Sequence, residues 1–306
     1  MRLLEKDISN YMCTIYIYCI GTSSNNKQDT RIERGEKEVM AYFGIIIPNY
    51  NNADYIEKCV NSVIRQTFED FDIVIVDDCS TDNSIEKIKA LEEKDFRITY
   101  FQNDEKAFNG GTRNYGIEDI KCVMDADSYI MFLDSDDWFI DENVLQDIYN
   151  TIQKNNEPDC VRLSYMYHKG GIDTPIILNE TSVEDMVKNV NVACWLKVVK
   201  AELVEPVFPE NTLMEDVIYH IKQCDKIESV VPLGRPAIVW NRDNVNSCSQ
   251  NRTLQNNKWS SSMYRYIADL IETRCEHEYC NNEVSARLSS ALRNLRAGIM
   301  SQDKIQ

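Results

Sequence analysis

Apolar residues follow two alternating rhythms along this chain. Residues 44–47 (Gly44, Ile45, Ile46, Ile47) and 73–76 (Ile73, Val74, Ile75, Val76) are short apolar runs bounded by polar residues. Such runs are the pattern of strands buried on both faces. Residues 129–133 repeat it. Between the first two runs, residues 53–66 put Ile56, Cys59, Val60, Val63 and Ile64 on one helical face, with Asn52 as its cap. Residues 84–94 do the same with Ile85, Ile88 and Leu91. A third strand is expected over 96–101 and a helix over 112–120, after the chain-breaking pair Gly110-Gly111. A helix over 141–154 and a strand over 160–167 follow. Strands alternating with helices predict an α/β fold: a Rossmann-like, mostly parallel central sheet flanked by helices.

The second half is less regular. Helices are expected over 181–189 and 215–224, strands over 229–233 and 237–240, then a helical appendage at 259–272 and 283–300. The last helix lines up Leu288, Leu292, Leu295 and Ile299, with Arg287, Arg293 and Arg296 nearby. Packing on its own domain is favoured over peripheral contact with a membrane surface. The chain has no internal repeat and no apolar run long enough to span a bilayer.

Residues 1–39 read as foreign to the rest. Residues 11–20 are apolar but too short to cross a membrane. Arg2 and Lys6 before Gly21-Thr22-Ser23 fit a signal peptide poorly, and residues 21–38 are polar and read as disordered. Met40 stands four residues before Gly44, and Lys37-Glu38-Val39 could be encoded as a purine-rich ribosome-binding sequence. The expectation is that Met40 is the true start and 1–39 an extension, which the intact mass of the native protein tests. The predicted organisation is an extension over 1–39, a main domain over 40–250 and a helical segment over 251–306.

Composition narrows the partners. The formal net charge is −17. That argues against nucleic acid, which needs a basic face, and gives no general attraction to anionic lipid. The 11 cysteines form no regular framework. Several, such as Cys59 and Cys122, fall where core-facing residues are expected, so they read as reduced, cytoplasmic thiols. The cluster Cys275-Glu276-His277-Glu278-Tyr279-Cys280 lacks a C-x2-C pair, and ordinary helix residues are favoured over a zinc site.

The strand ends carry the candidate chemistry. The first strand runs into Pro48-Asn49-Tyr50-Asn51, the second into Asp77-Asp78, and a later one into Asp134-Ser135-Asp136-Asp137. Open α/β sheets bind ligands at this edge. Carboxylates delivered there suggest a nucleotide and a divalent cation held together. Alternate residues share a side, so Asp134 and Asp136 face one ligand, with Asp137 a weaker candidate. Arg113, at a glycine-loosened helix start, can reach a diphosphate. Glu215-Asp216 opens a helix, where acids either complement its dipole or supply a general base.

Five pieces in order resemble the family 2 glycosyltransferases of the GT-A fold, over roughly residues 43–249: Pro48-Asn49-Tyr50-Asn51, Val76-Asp77-Asp78-Cys79-Ser80, Gly111-Thr112-Arg113-Asn114-Tyr115-Gly116, Asp134-Ser135-Asp136 and Glu215-Asp216. The resemblance implies an inverting, metal-dependent transfer from a nucleotide-sugar, a UDP-sugar by the Asp78 analogy, to a glycan or lipid-linked acceptor. It implies Asp136 as a ligand to Mn2+ or Mg2+ and Asp134 near the ribose or a metal water. Asp78, supported by Asp77, would take the uracil imide, with Tyr50 stacking on the base and Pro48 and Asn49 shaping the pocket. Asp216 would be the general base, with Glu215 second. Trp195 and Lys197 resemble an acceptor-side Trp-x-Lys. Arg242 resembles the arginine of a late loop over the diphosphate, although Trp240-Asn241-Arg242-Asp243 departs from the usual Tyr-Arg wording. The absence of Gln-x-x-Arg-Trp points to single additions, at the cytoplasmic face of a membrane or free of it. A glycine-Thr-Arg loop also occurs in sugar nucleotidylyltransferases, but there it follows the first strand. Two rivals remain: a catalytically silent binding subunit, and a receiver-like signalling domain, which would be far shorter.

Overall fold

A computed structural model describes residues 41–189, 191–209, 215–247, 270, 272, 273 and 275–302. The expectations for 1–39 and most of 259–272 lie outside the described residues. The chain divides at Met40 into two units, and the described residues all belong to the second, Ala41–Gln306.

Four parallel strands form the first half of one sheet: β1 (Ala41–Asn49), β2 (Phe71–Asp77), β3 (Ile98–Gln102) and β4 (Met124–Phe132), in the order β3-β2-β1-β4. Every residue of β2 is buried. Helices on the sheet explain the unbroken apolar runs, because neither face meets water. Beyond β4 the sheet becomes mixed. β8 (Lys197–Lys200) pairs antiparallel with β4, and β6 (Cys160–Lys169) antiparallel with β8. β9 (Val230–Asn241) runs parallel to β6, while the short β5 (Trp138–Phe139) and β7 (Ile172–Ile176) pair antiparallel with β9 and β6.

The two strands expected at 229–233 and 237–240 are one. Gly234 adopts a positive φ of 79° and the register to β6 shifts near it, so the strand kinks without ending. The helices are α1 (Ile56–Ile64), α2 (Ser84–Glu92), α3 (Phe108–Ile120), α4 (Val144–Lys154), α5 (Val183–Lys188), α6 (Glu215–Cys224) and α7 (Glu278–Gln302). Gly110-Gly111 does not break the chain. It lies inside the first turn of α3, where a side chain would not fit: a Cβ on Gly110 would stand 2.3 Å from the Pro209 carbonyl oxygen.

Cys59 is buried as expected, but Cys122 is exposed. It sits on the 3-10 turn Lys121–Val123 between α3 and β4, and its thiol donates to the Glu118 carbonyl. The start of α7 packs on α5 and α6 through buried Cys280, Val284 and Ala291, so this part covers its own domain. The side chains of 292–302 lie outside the described residues, and with them the membrane-facing reading of Leu292, Leu295 and Ile299. Among the described residues no helix is long and apolar enough to cross a membrane.

Candidate functional site

The register of the parallel strands builds the site. Asn49 pairs with Asp77 across β1 and β2, Gln102 of β3 lies beside Asp77, and the Leu133 amide after β4 donates to the Ile46 carbonyl at 3.0 Å. Three strands therefore stop together, and their next residues share one edge of the sheet.

Asp77 is fully buried and ties that edge together. It accepts hydrogen bonds from Asn49 Nδ2 at 2.8 Å, the Ser80 amide at 2.8 Å and Ser80 Oγ at 2.5 Å. Asp78 faces the start of α3. Its Oδ1 accepts from the Ala107 amide at 2.6 Å and Asn103 Nδ2 at 3.0 Å, and its Oδ2 from the Phe108 amide at 3.0 Å. These bonds hold Phe108 at a φ of 56°, and Asn51 and Cys79 nearby are also left-handed, at 51° and 60°. Non-glycine residues in this region are costly and collect at ligand clamps. Each carboxylate oxygen has two acceptor directions, so Asp78 retains one. Tyr50 is 40% exposed, with the Lys106 ammonium 3.1 Å from its ring centroid.

Buried Arg113 joins three elements. One guanidinium nitrogen donates to Asp134 Oδ1 at 2.8 Å. Another donates to Glu215 Oε1 at 3.0 Å and lies 3.6 Å from Asp216 Oδ1. Thus the end of β4, helix α3 and the start of α6 meet at one cation. Burial and the charge of Asp216 push Glu215 up to about 7, against the pull of Arg113. Asp216 Oδ1 is buried without a hydrogen-bond partner, and the side chain remains 28% exposed. An under-satisfied carboxylate at an opening is placed to take a proton from a bound hydroxyl.

Asp134, Asp136 and Asp137 crowd one turn. Burial and the charge of Asp134 push Asp136 up to about 6. Burial and the charge of Asp136 push Asp137 well above the carboxylate range. Asp137 turns inward and accepts the Asn241 amide at 2.8 Å, which makes it a strand-to-strand tie. Asp136 Oδ2 accepts from Asn244 Nδ2 at 2.8 Å. The Arg242 charge lowers both acids, and its guanidinium lies 4.5 Å from the Trp240 ring centroid. Asp134 and Asp136 are half-buried hard-oxygen acids whose mutual repulsion is relieved only in part by Arg113 and Arg242, an arrangement that fits a small divalent cation.

Three expectations are corrected. Lys197 cannot serve an acceptor or diphosphate: it is buried, and its three donors go to the Val192 carbonyl at 3.2 Å, the Ala193 carbonyl at 3.0 Å and His220 Nδ1 at 3.0 Å. Asn52 does not cap α1 with its side chain. It donates to Ser135 Oγ at 2.8 Å and accepts from Asn244 at 3.1 Å, inside the acidic turn. Trp195 is buried, 5.4 Å from Tyr165 and 6.0 Å from Trp240 between ring centroids, in an aromatic cluster. Sequence reasoning passed over Asn244, Asn103 and Lys106. Asn244 had a signal: like the acids after β4, it lies in a polar run directly after an apolar strand.

The sequence model of Glycosyl transferase family 2 matches residues 44–186. Glycosyltransferase GlyA of Streptococcus pneumoniae is 30% identical over 209 residues, which is 62% of this chain and 29% of that one. The putative teichuronic acid biosynthesis glycosyltransferase TuaG of Bacillus subtilis is 26% identical over 255 residues, 80% of this chain and 96% of its own. The chain thus spans less than a third of GlyA and nearly all of TuaG. The structure of S. aureus TarS 1–349 in complex with UDP-GlcNAc superposes with a TM-score of 0.64 at 20% identity, covering 81% of this chain and 72% of that one. The fold is that of the GT-A glycosyltransferases, and residues 44–186 carry a stretch that matches glycosyl transferase family 2.

Proposed function

We propose that this protein is an inverting, metal-dependent glycosyltransferase that moves a sugar from a UDP-sugar to a glycan or lipid-linked acceptor in the cytoplasm. One observation carries the reading: Arg113 brings the carboxylate of Asp134 and the pair Glu215-Asp216 to a single point beside Asp136. Donor and base machinery then lie within one side chain's reach.

Asp216 takes the proton of the acceptor hydroxyl as its oxygen attacks the anomeric carbon, and the bond from that carbon to the diphosphate breaks on the opposite face. A divalent cation, Mn2+ or Mg2+, held by Asp136 and Asp134 would supply Lewis-acid stabilisation of the departing diphosphate. Arg242 adds a second positive charge close to the acidic turn. Asp78 keeps an acceptor direction for an imide N–H, and Tyr50 offers an exposed ring for a base. The UDP-GlcNAc of the TarS complex supports uridine as the nucleotide and makes UDP-N-acetylglucosamine the first donor to try.

The test is thermal shift and donor hydrolysis with a set of nucleotide-sugars, with and without manganese. Manganese-dependent stabilisation by UDP, with slow UDP release from one donor, is expected. A folded protein that responds to no nucleotide with metal present would overturn the sugar-transfer reading, whereas stabilisation by UDP with no turnover of any donor would favour the silent binding subunit.

A further inference from the structure

Away from the sheet edge, at the other end of α6, lies a second group of metal-ligating side chains. Asp225 follows α6 directly, Cys275 precedes α7, and Cys280 lies in the first turn of α7. Their carboxylate and sulfur atoms lie within 4.8 Å of one another. The spacing of Cys275 and Cys280 in sequence is not that of a zinc pair. The fold supplies what that spacing lacks, a third ligand from another helix.

Separate hydrogen bonds fix the members. Asp225 Oδ2 accepts the Glu276 amide at 2.6 Å and its Oδ1 the His277 amide at 2.8 Å. Each oxygen therefore keeps one acceptor direction. Asn281 clamps Cys275 from both sides, accepting from its amide at 3.2 Å and donating to its carbonyl at 2.8 Å. Cys280 is buried, with its sulfur 3.8 Å from the Ile221 carbonyl oxygen. The two thiols lie side by side, and their mutual influence lowers Cys275 and raises Cys280. Cys275 is half-buried, so the group opens to solvent on one side.

We propose that Asp225, Cys275 and Cys280 form a binding site for a thiophilic divalent cation of the zinc class, separate from the all-oxygen site at Asp134 and Asp136. Zinc lies about 2.3 Å from sulfur and about 2.0–2.2 Å from oxygen, so tetrahedral ligand atoms stand about 3.5 Å apart. Small side-chain rotations reach that spacing, and water completes the fourth position. Binding displaces the thiol protons to solvent, and the cation's charge stabilises the thiolates that burial disfavours. The cation staples the start of α7 to the end of the helix whose first turn carries Glu215 and Asp216.

The test is a cobalt titration of the reduced, full-length protein. One equivalent is expected to give a near-ultraviolet thiolate-to-cobalt absorption that zinc abolishes and Cys275→Ser lacks. An oxygen-only site gives no such band, so loss of the sugar-transfer reading would leave this result untouched. No thiolate band, or a band of equal strength in Cys275→Ser, overturns the proposal. If that variant does not fold, alkylation of the wild-type protein decides: zinc should slow labelling of Cys275, and an unchanged labelling rate overturns the site.

Discussion

Asp216 and Glu215 are adjacent in sequence and differ in environment. Glu215 is buried against Arg113, while Asp216 keeps an opening and an unpartnered oxygen. In the proposed transfer the base role therefore falls on Asp216. Asp216→Asn should lower kcat by about 10²–10⁴-fold, the usual yield of general base catalysis. UDP affinity should stay unchanged, because the amide keeps the shape. A kcat within a factor of a few of wild type would remove Asp216 from the reaction. Asn244 is one of the residues the motifs missed. Its amide orients Asp136, the proposed metal ligand, and groups that orient such a ligand commonly change metal affinity by about 10–100-fold. Asn244→Ala should weaken manganese binding by about tenfold in a calorimetric titration, with the folded fraction unchanged. Equal affinity would mean that Asp136 is held by other contacts. Acids at strand ends were legible because alternation and strand termination are local facts. Asn244 stands in such a polar run too, but its contacts and those of Asn52 were hidden, since their partners lie far off in sequence. Lys197 was misread for the same reason: a Trp-x-Lys spelling carries no information about burial.

At the scale of elements, α3 decides whether Arg113 reaches both carboxylates. Its glycines let it approach closely: a Cβ on Gly116 would stand 2.5 Å from Ile46 Cγ2, and one on Gly110 stands against backbone, the Pro209 carbonyl. Alanine in a helix gains up to about 1 kcal/mol over glycine. Overpacking against atoms that cannot rotate away costs about 1–3 kcal/mol. The clash outweighs the propensity, so Gly110→Ala should lower stability by about 1–2 kcal/mol in a denaturant titration and weaken donor binding by tilting Arg113. A stabilised variant would mean that the 208–209 segment yields freely. The parallel half of the sheet was readable because buried strands leave unbroken apolar runs. The mixed half was readable at β6 and only in pieces at β9. β5 and β8 are short, and β7 is mostly exposed, so none of them makes such a run; β9 reads as two pieces because Gly234 interrupts its pattern without ending its pairing. Gly110-Gly111 misled in the opposite direction. Glycine signals a break only where flexibility is its purpose, and here its purpose is space.

Across the whole molecule, a net charge of −17 is combined with acids held above their ordinary values. Asp119 is pushed to about 6 by burial alone, Asp136 to about 6, and Glu215 to about 7. A carboxyl whose folded value is raised opposes folding once the unfolded chain can ionise and the folded one cannot. Below about pH 4 both states are neutral at these groups, and no penalty exists. Between about 4 and 7 the unfolded state loses its protons first, so stability falls as pH rises through that window. Asp82, Asp95 and Asp141 are lowered by hydrogen bonds and Arg partners, and their contribution is lost only below about pH 4. The metal-free protein should therefore be most stable near pH 5, with Tm falling toward pH 7.5 in EDTA. Manganese should restore much of the loss at pH 7.5, because the cation favours the ionised form of Asp136. Asp119 lies near the end of α3, and its raised value comes from burial alone with no contribution from this turn, so it serves as a control. Asp119→Asn should raise stability at pH 7.5 by about 1 kcal/mol, after discounting for its partial exposure. It should leave stability unchanged near pH 4, with or without manganese. A flat Tm between pH 5 and 7.5 in EDTA would show that these acids ionise freely in the fold, and the tension that a divalent cation relieves at Asp136 would then be absent.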